Sequence, residues 1–162
     1  MGAEILLFRI DERLLHGQGQ IWIRHCGANS VICVNDKAAN DPVQQNLMKA
    51  MIDKSIAVSF YGVDKFISIF DKASPRQKFF IVVGNTEDAI KIIKSGIPIK
   101  EVNIGNIHDG EGKERITRAI YLNESDKDNL RKMRDDYNIS FNTRSTPSGS
   151  DGSKEVDIND YL

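Results

Sequence analysis

Residues 79–83 read Phe-Phe-Ile-Val-Val, a run in which every position is apolar. A strand that is apolar on both faces is typical of a parallel sheet with helices packed on each side. The run is followed by Gly84-Asn85-Thr86, and then by apolar residues at helical spacing: Ala89, Ile90, Ile92 and Ile93. This succession of strand, polar loop and helix predicts one unit of an α/β fold.

The same succession recurs in both directions along the chain. We predict strands over residues 5–8, 30–34, 56–61, 78–83, 101–104, 116–122 and 139–143. Helical stretches of about ten residues separate most of them, which favours an α/β fold with an open, mostly parallel, doubly wound sheet and helices on both faces. In such a sheet the carboxyl ends of the strands share one edge, where ligands bind. We expect the loops that follow the strands to meet at this carboxyl edge.

Capping residues mark the starts of two helices. Asp41 followed by Pro42 is typical of an N-cap and the first helical residue. Apolar residues then follow at helical spacing and form one face of that helix: Val43, Leu47, Ala50 and Met51. Ser125 and Asp128 resemble a capping box for the helix near the end of the chain.

Length and charge exclude several classes of protein. The 162 residues show no repeat or linker, so we predict one domain over residues 1–162, with a Ser-, Gly- and Asp-rich segment near 145–155 that we expect to be mobile. The net charge of -1 argues against a nucleic-acid surface, which needs a basic excess. No apolar run reaches the ~20 residues of a membrane span, and the N-terminus lacks a signal-peptide pattern. We therefore expect a cytoplasmic protein.

The densest group of functional residue types follows the first predicted strand. Residues 9–19 read Arg-Ile-Asp-Glu-Arg-Leu-Leu-His-Gly-Gln-Gly. We predict that His16 is a nucleophile, because a neutral imidazole offers a free lone pair near neutral pH. Arg13 offers a planar fork of donors to an anion, and Gly17 and Gly19 either allow the loop amides to turn toward that anion or simply make a turn. Asp11 or a backbone carbonyl would accept the other ring proton of His16.

Other polar residues have plainer explanations. Asn35-Asp36 and Asn85-Thr86 are either groups that support the site or helix caps, and capping is favoured. We interpret Trp22 as a core residue and His25 as structural. His108-Asp109 resembles half of a metal site, but no second histidine lies at ligand spacing, so we predict no metal and favour a loop that meets a partner protein. Cys26 and Cys33 match no metal or disulfide spacing.

The motif R-x-D-x-R-x-x-H-G-Q, formed by residues 9–18, resembles the loop of the IIB components of the mannose/sorbose class of the bacterial sugar phosphotransferase system. The resemblance extends over nearly the whole chain, including Val34-Asn35-Asp36 and the segment Val102-Asn103-Ile104-Gly105-Asn106. Residues 39–41, 44–48 and 103–108 are most similar to the N-acetylgalactosamine/galactosamine branch of that family. Gly19 departs from the hydrophobic residue that usually follows H-G-Q.

The resemblance implies a phosphohistidine on Nδ1 of His16, with Arg13 as a catalytic partner, and no cofactor. It implies phosphate-binding roles for Gly17, Gln18 and Gly19, and supporting roles for Arg9, Asp11 and Asp36. It also implies a IIA protein as phosphoryl donor, and a sugar bound by the membrane subunits IIC and IID as acceptor. The chain would then associate peripherally with the membrane permease. The family further implies one antiparallel edge strand in the sheet. Association with a second copy of the chain stays open.

Two competing functions follow from the same residues. One is a non-catalytic α/β module that binds a phosphorylated metabolite at the carboxyl edge, although the sequence shows no second polar cluster for sugar recognition. The other is a metal hydrolase built on His108 and Asp109, which lacks the ligands for a zinc site.

Overall fold

The computed structural model describes residues 2–149 and 154–162. Within them, strands and helices alternate along the chain as β1 Glu4–Asp11, α1 Gly17–Cys26, β2 Ser30–Val34, α2 Pro42–Ala50, β3 Ala57–Tyr61, α3 Val63–Ile69, β4 Lys78–Val83, α4 Thr86–Lys94, β5 Glu101–Asn106, β6 Glu114–Thr117, β7 Ile120–Leu122, α5 Glu124–Tyr137 and β8 Ser140–Asn142. Short 3-10 turns span Ala38–Asn40, Phe70–Lys72 and Ile158–Tyr161. The α/β alternation predicted from the sequence is confirmed.

The main sheet has six strands in the order β3-β2-β4-β1-β5-β8, and each neighbouring pair is parallel. Side chains of β4 alternate between two cores. Phe79, Ile81 and Val83 lie in one core with residues of α3, α4 and α5, whereas Phe80 and Val82 lie in the other with residues of α1 and α2. Helices therefore cover both faces, which explains why the run at 79–83 is apolar at every position.

The strand order places a topological switch point between β1 and β5. The chain leaves β1 toward β2 on one side and leaves β5 toward β8 on the other. At such a point the loops diverge and leave a crevice outside the carboxyl ends of the strands, where open α/β sheets bind ligands. The loop of residues 12–16, which follows β1, lies at this crevice.

Three details differ from the sequence predictions. The edge strand β8 pairs in parallel with β5, so the antiparallel edge strand is wrong for the main sheet. Antiparallel pairing lies instead in a separate hairpin of β6 and β7, because residues 116–122 form a turn within what was predicted as one strand. The capping box of α5 is formed by Asn123 and Asp126, two residues before the predicted pair Ser125 and Asp128.

The apolar face of α2 lies at the surface. Val43, Leu47 and Met51 are exposed, and Met48 is the residue that α2 buries against the sheet. Asp41 caps this helix as predicted, since its carboxylate accepts a hydrogen bond from the Gln44 amide at 3.1 Å. None of the helices in the described ranges is long and apolar enough to cross a bilayer.

The described start of the segment near 145–155 is packed against the rest of the protein. Ser145 and Thr146 are buried, and the Ser145 carbonyl accepts a hydrogen bond from the Trp22 indole at 2.9 Å. Residues 150–153 of the segment lie outside the described residues. The expected mobility of the segment as a whole stays a prediction.

Candidate functional site

His16 occupies the junction between the loop after β1 and the first turn of α1. It is the N-cap of α1, with extended backbone angles, and its Nδ1 accepts a hydrogen bond from the Gln18 amide at 3.3 Å. The side chain is 18% exposed. The imidazole is therefore held at the positive end of a helix, with one ring nitrogen directed at backbone amides.

Asp11 is the centre of the site. Its carboxylate is fully buried at the end of β1, and Oδ2 lies 2.8 Å from His16 Nε2. Burial opposes ionisation, but hydrogen bonds from His16 and Arg13 and the charge of Arg9 outweigh it and hold the pKa of Asp11 well below its usual range. An ionised carboxylate only accepts hydrogen bonds, so the ring proton of neutral His16 lies on Nε2 and its lone pair on Nδ1. The sequence left either Asp11 or a backbone carbonyl as the acceptor of this proton, and in the structure the acceptor is Asp11.

Two arginines form ion pairs with Asp11. Arg9 is buried, and its Nε and Nη2 donate to Asp11 Oδ2 at 3.2 and 3.0 Å. Arg13 is partly exposed, and its Nε and Nη2 donate to Oδ1 and Oδ2 at 3.1 and 3.0 Å. The Arg13 side chain thus reaches from the buried carboxylate to solvent beside His16.

The loop between Asp11 and His16 is tightly folded. The Leu14 amide donates to the Asp11 carbonyl at 2.8 Å, and Leu14 has a positive φ of 61°, a conformation that costs a non-glycine residue about 1–2 kcal/mol. The side chains of Leu14 and Leu15 are buried and offset this cost by anchoring the loop in the core under α1. The sequence analysis did not identify these leucines, although two adjacent apolar residues within a charged loop were a visible signal.

The predicted phosphate-binding residues lie in the first turn of α1. The Gln18 amide donates to His16 Nδ1, and the Gln18 side chain accepts from Arg13 Nη2 at 3.4 Å. The Gly19 amide donates to the His16 carbonyl at 2.9 Å, and Gly17 is exposed with open space where a side chain would lie. The structure therefore brings together Arg9, Asp11, Arg13, His16, Gly17, Gln18 and Gly19.

Asp36 does not join this group among the described contacts. Its carboxylate accepts a hydrogen bond from the Val63 amide at 2.9 Å, at the start of α3. Asn35 likewise accepts from the Ala38 amide at 2.9 Å, and Asn85 caps α4 by accepting from the Asp88 amide at 2.8 Å. Asn35, Asp36 and Asn85 therefore bond amides at the starts of helical segments, as the favoured explanation predicted.

The loop after β5 touches the loop after β1 from the other side of the crevice. The Glu12 amide donates to the Asn106 carbonyl at 2.9 Å, and the His108 ring pairs with the Glu12 carboxylate. Within residues 2–149 and 154–162, no group of His, Cys, Asp or Glu side chains is arranged to hold a metal ion. Burial raises the pKa of Cys33 to about 12, so this thiol stays protonated and is not a nucleophile.

Two buried residues of β5, Asn103 and Gly105, also belong to the surroundings of the site. Asn103 Oδ1 accepts from Arg9 Nη1 at 2.6 Å, and Gly105 lies directly against the Arg9 guanidinium. Both stand within the segment that carried the family resemblance, but their contact with Arg9 was not predicted. It arises because β5 pairs with β1, which local patterns do not reveal.

The chain is similar to one family of proteins in both sequence and structure. A family model for the sorbose-subfamily IIB component of the phosphotransferase system matches residues 5–159. The chain is 42% identical over 123 residues to N-acetylgalactosamine-specific phosphotransferase enzyme IIB component 2 of Escherichia coli, covering 75% of this chain and 78% of that protein.

Solved structures agree with the sequence comparisons. The crystal structure of an N-acetylgalactosamine IIB component from Streptococcus pyogenes superposes with a TM-score of 0.94 at 46% identity, over 100% of this chain and 99% of that one. The IIB domain of the Klebsiella pneumoniae sorbose permease superposes with a TM-score of 0.86 at 27% identity, over 97% and 94% of the two chains.

Proposed function

Because this chain belongs to the sorbose-type IIB components of the sugar phosphotransferase system, we propose that it carries a phosphoryl group on Nδ1 of His16 between a IIA protein and a sugar. The observation that supports this assignment most directly is the hydrogen bond between His16 Nε2 and the ionised Asp11 carboxylate. It keeps the Nδ1 lone pair available for attack.

In the first step, His16 Nδ1 attacks the phosphorus of a phosphohistidine on the IIA protein. A P–N bond forms to Nδ1, and the donor's P–N bond breaks with its electron pair returning to the donor imidazole. The Nε2–H of His16 stays bonded to Asp11, which stabilises the positive charge that develops on the ring. Positioning and electrostatics supply most of the rate in such transfers, and no cofactor is needed.

The phosphoryl group on Nδ1 then lies at the amino end of α1. The Gln18 amide, which donates to free Nδ1, donates to a phosphoryl oxygen instead, and the exposed Gly17 leaves room for that group. Arg13, which bonds both Asp11 and the Gln18 side chain, adds a charge-assisted hydrogen bond when its fork turns from Asp11 toward the phosphoryl oxygens. Arg9 and Asp11 hold the His16 ring in position. Asp36 bonds the start of α3 and takes no direct part in the transfer.

In the second step, a sugar hydroxyl attacks the phosphorus, the P–Nδ1 bond breaks with its electrons returning to the ring, and the hydroxyl proton leaves to solvent. We assign the sugar to the N-acetylgalactosamine class, because the IIB components named above at 42% and 46% identity carry that specificity in their names. The membrane subunits IIC and IID present the sugar, and the protein works in the cytoplasm at the face of the permease.

The test is phosphoryl transfer in a reconstituted system that contains phosphoenolpyruvate, the general phosphotransfer proteins and the cognate IIA protein. Acid-labile, alkali-stable label is expected on the parent chain and absent from His16→Ala. His25→Ala, in the last turn of α1, is the matched control and keeps the label. Label that persists on His16→Ala removes the proposal.

A further inference from the structure

We propose that Asn103 and Gly105 are positioning residues, which hold the buried Arg9 guanidinium against Asp11 and thereby keep the proton of His16 on Nε2. The catalytic consequence of this inference rests on the proposed function. The positional claim concerns the unphosphorylated protein alone. We call the connected side chains of Asn142, Asn103, Arg9 and Asp11 the Arg9 column.

The orientation of the Asn103 amide is set by its neighbours. Its Nδ2 donates to Asn142 Oδ1 at 2.6 Å and to the Arg144 carbonyl at 2.9 Å. Since the donor end of the amide is occupied by these two acceptors, its oxygen must face Arg9, where it accepts from Nη1 at 2.6 Å. Asn103 is completely buried, so its removal takes a hydrogen-bond acceptor for Arg9 out of the protein interior.

Gly105 is required for space. A Cβ at this position would overlap Cζ and Nη2 of Arg9 and would lie 2.6 Å from its Nε. The φ of Gly105 is not in the left-handed region, so the backbone would accept alanine. Glycine at position 105 of β5 therefore leaves the space that is occupied by the guanidinium of Arg9 on the neighbouring strand β1.

The rest of the guanidinium is enclosed in the same way. Arg9 Nη1 and Nη2 donate to the carbonyls of Arg144 and Ser145 at 3.2 and 3.3 Å. Arg9 Cζ lies 5.4 Å from the centroid of the Trp22 ring, within the range of a cation–π contact. These contacts leave the remaining edge of the fork directed at Asp11.

The last atom of the Arg9 column is Asp11 Oδ2, which sets the tautomer of His16 by bonding its Nε2. Asp11 Oδ2 accepts from Arg9 Nη2 at 3.0 Å and from His16 Nε2 at 2.8 Å. If the guanidinium moves, the buried carboxylate loses one of the three partners that favour its ionised form, and its hydrogen bond with Nε2–H weakens. The imidazole then samples both tautomers, and the one with a proton on Nδ1 cannot attack phosphorus.

The experiment combines Gly105→Ala, which crowds Arg9, with Asn103→Ser, which shortens the side chain and takes the amide oxygen away from Arg9 Nη1. Gly110→Ala is the matched control, because its Cβ would meet nothing nearer than the Lys113 side chain at 3.6 Å. Histidine tautomers are read from long-range ¹H–¹⁵N correlation spectra of the unphosphorylated full chain at about pH 8. Transfer rate and thermal stability are measured on the same samples.

The parent and Gly110→Ala are expected to show His16 protonated on Nε2. Gly105→Ala and Asn103→Ser are expected to show a mixture of tautomers and transfer slowed by about tenfold to 100-fold at equal folded fraction. If both variants keep the parent tautomer and rate while only their stability falls, the residues are merely structural and the inference is overturned. If Gly105→Ala does not fold, Asn103→Ser decides by the same criterion. Because the tautomer is measured without phosphoryl transfer, this result stands apart from any failure to label His16.

Discussion

At the scale of single residues, the chemistry of the site is governed by one buried carboxylate. Asp11 stays ionised because two arginines and a histidine donate to it, and it in turn sets which nitrogen of His16 is free. Arg13 is the most exposed of these donors, so its proposed role in transfer is separable from its role in the ion pair.

We predict that Arg13→Ala leaves the fold intact but slows phosphoryl transfer in both directions by about tenfold to 100-fold. The Arg13 side chain is 36% exposed, and the fully buried Asp11 carboxylate keeps Arg9 and His16 as partners when Arg13 is removed. We therefore expect a loss of stability close to that of a surface ion pair, about 0–1 kcal/mol. Arg13→Lys keeps the charge without the planar fork and should fall between parent and Arg13→Ala. Single-turnover labelling and thermal unfolding measure the two effects. A loss of several kcal/mol in stability would make Arg13 a structural partner of Asp11 instead.

The depressed pKa of Asp11 predicts how stability depends on pH. Below the ordinary aspartate value of 3.8, the unfolded chain takes up a proton at Asp11 that the folded protein does not. Acid therefore favours unfolding, and the stability contributed by this carboxylate is present above that value and is lost as the pH falls below it. We expect the free energy of unfolding to fall more steeply from about pH 5 to pH 2 in the parent than in Asp11→Asn. Urea titrations across this range measure both slopes, and parallel curves would refute the assignment.

At the scale of elements, helix ends show how local sequence and final structure can differ by a few residues. Both the predicted and the observed capping pairs of α5 have the required spacing of three residues. The observed pair forms because Asn123 has the extended backbone of an N-cap and Asp126 is buried. The Oδ1 atom of Asp126 also accepts a hydrogen bond from the Thr86 hydroxyl at 2.7 Å. This bond joins the start of α5 to the start of α4.

We predict that Asn123→Ala lowers the free energy of unfolding by about 0.5–2 kcal/mol, since it removes an N-cap. Ser125→Ala is the matched control at the neighbouring position and should change stability by less than about 0.5 kcal/mol. Urea unfolding of both variants measures the difference. Transfer rates of the folded proteins should equal that of the parent, because α5 lies on the face of the sheet opposite α1. Equal stability of the two variants would contradict the capping geometry.

At the scale of the whole molecule, the sheet separates two cores, and the site is built on only one of them. The loop leucines and Trp22 belong to the core under α1 and α2. The opposite core is closed by the 3-10 turn near the end of the chain, where Ile158 is 1% exposed. We infer that this turn folds as part of the same cooperative unit as the sheet.

We predict that Ile158→Ala destabilises the whole protein by about 2–5 kcal/mol, because it leaves a cavity in a packed core. Tyr161→Ala in the same turn removes a partly exposed side chain and should cost much less. Denaturant titrations with an unchanged m-value would show a loss of global stability. A parent-like midpoint for Ile158→Ala would mean that the turn is not part of the cooperative unit.

Much of this protein is readable from local patterns. The apolar run at 79–83 predicted a strand buried on both faces, because such burial requires every position to be apolar. The recurrence of strand, polar loop and helix along the chain predicted the α/β alternation. The sequence placed His16 in the loop after the first strand and hence at the carboxyl edge, since the loops that follow parallel strands converge there. Asp41 marked a helix start correctly, because an N-cap bonds an amide only three residues away.

Contacts between distant segments decided the rest. The parallel pairing of β8, the enclosure of Arg9 by Asn103 and Gly105, and the contact of Asp36 with the start of α3 depend on which strands lie side by side. The motif itself gives no sign that Arg9 continues β1 and is buried there, because burial of an arginine is tolerable only where acceptors surround it, here from β5 and residues 144–145. Local spacing sets which residues share a turn or a face, whereas strand order sets which buried charges find their partners.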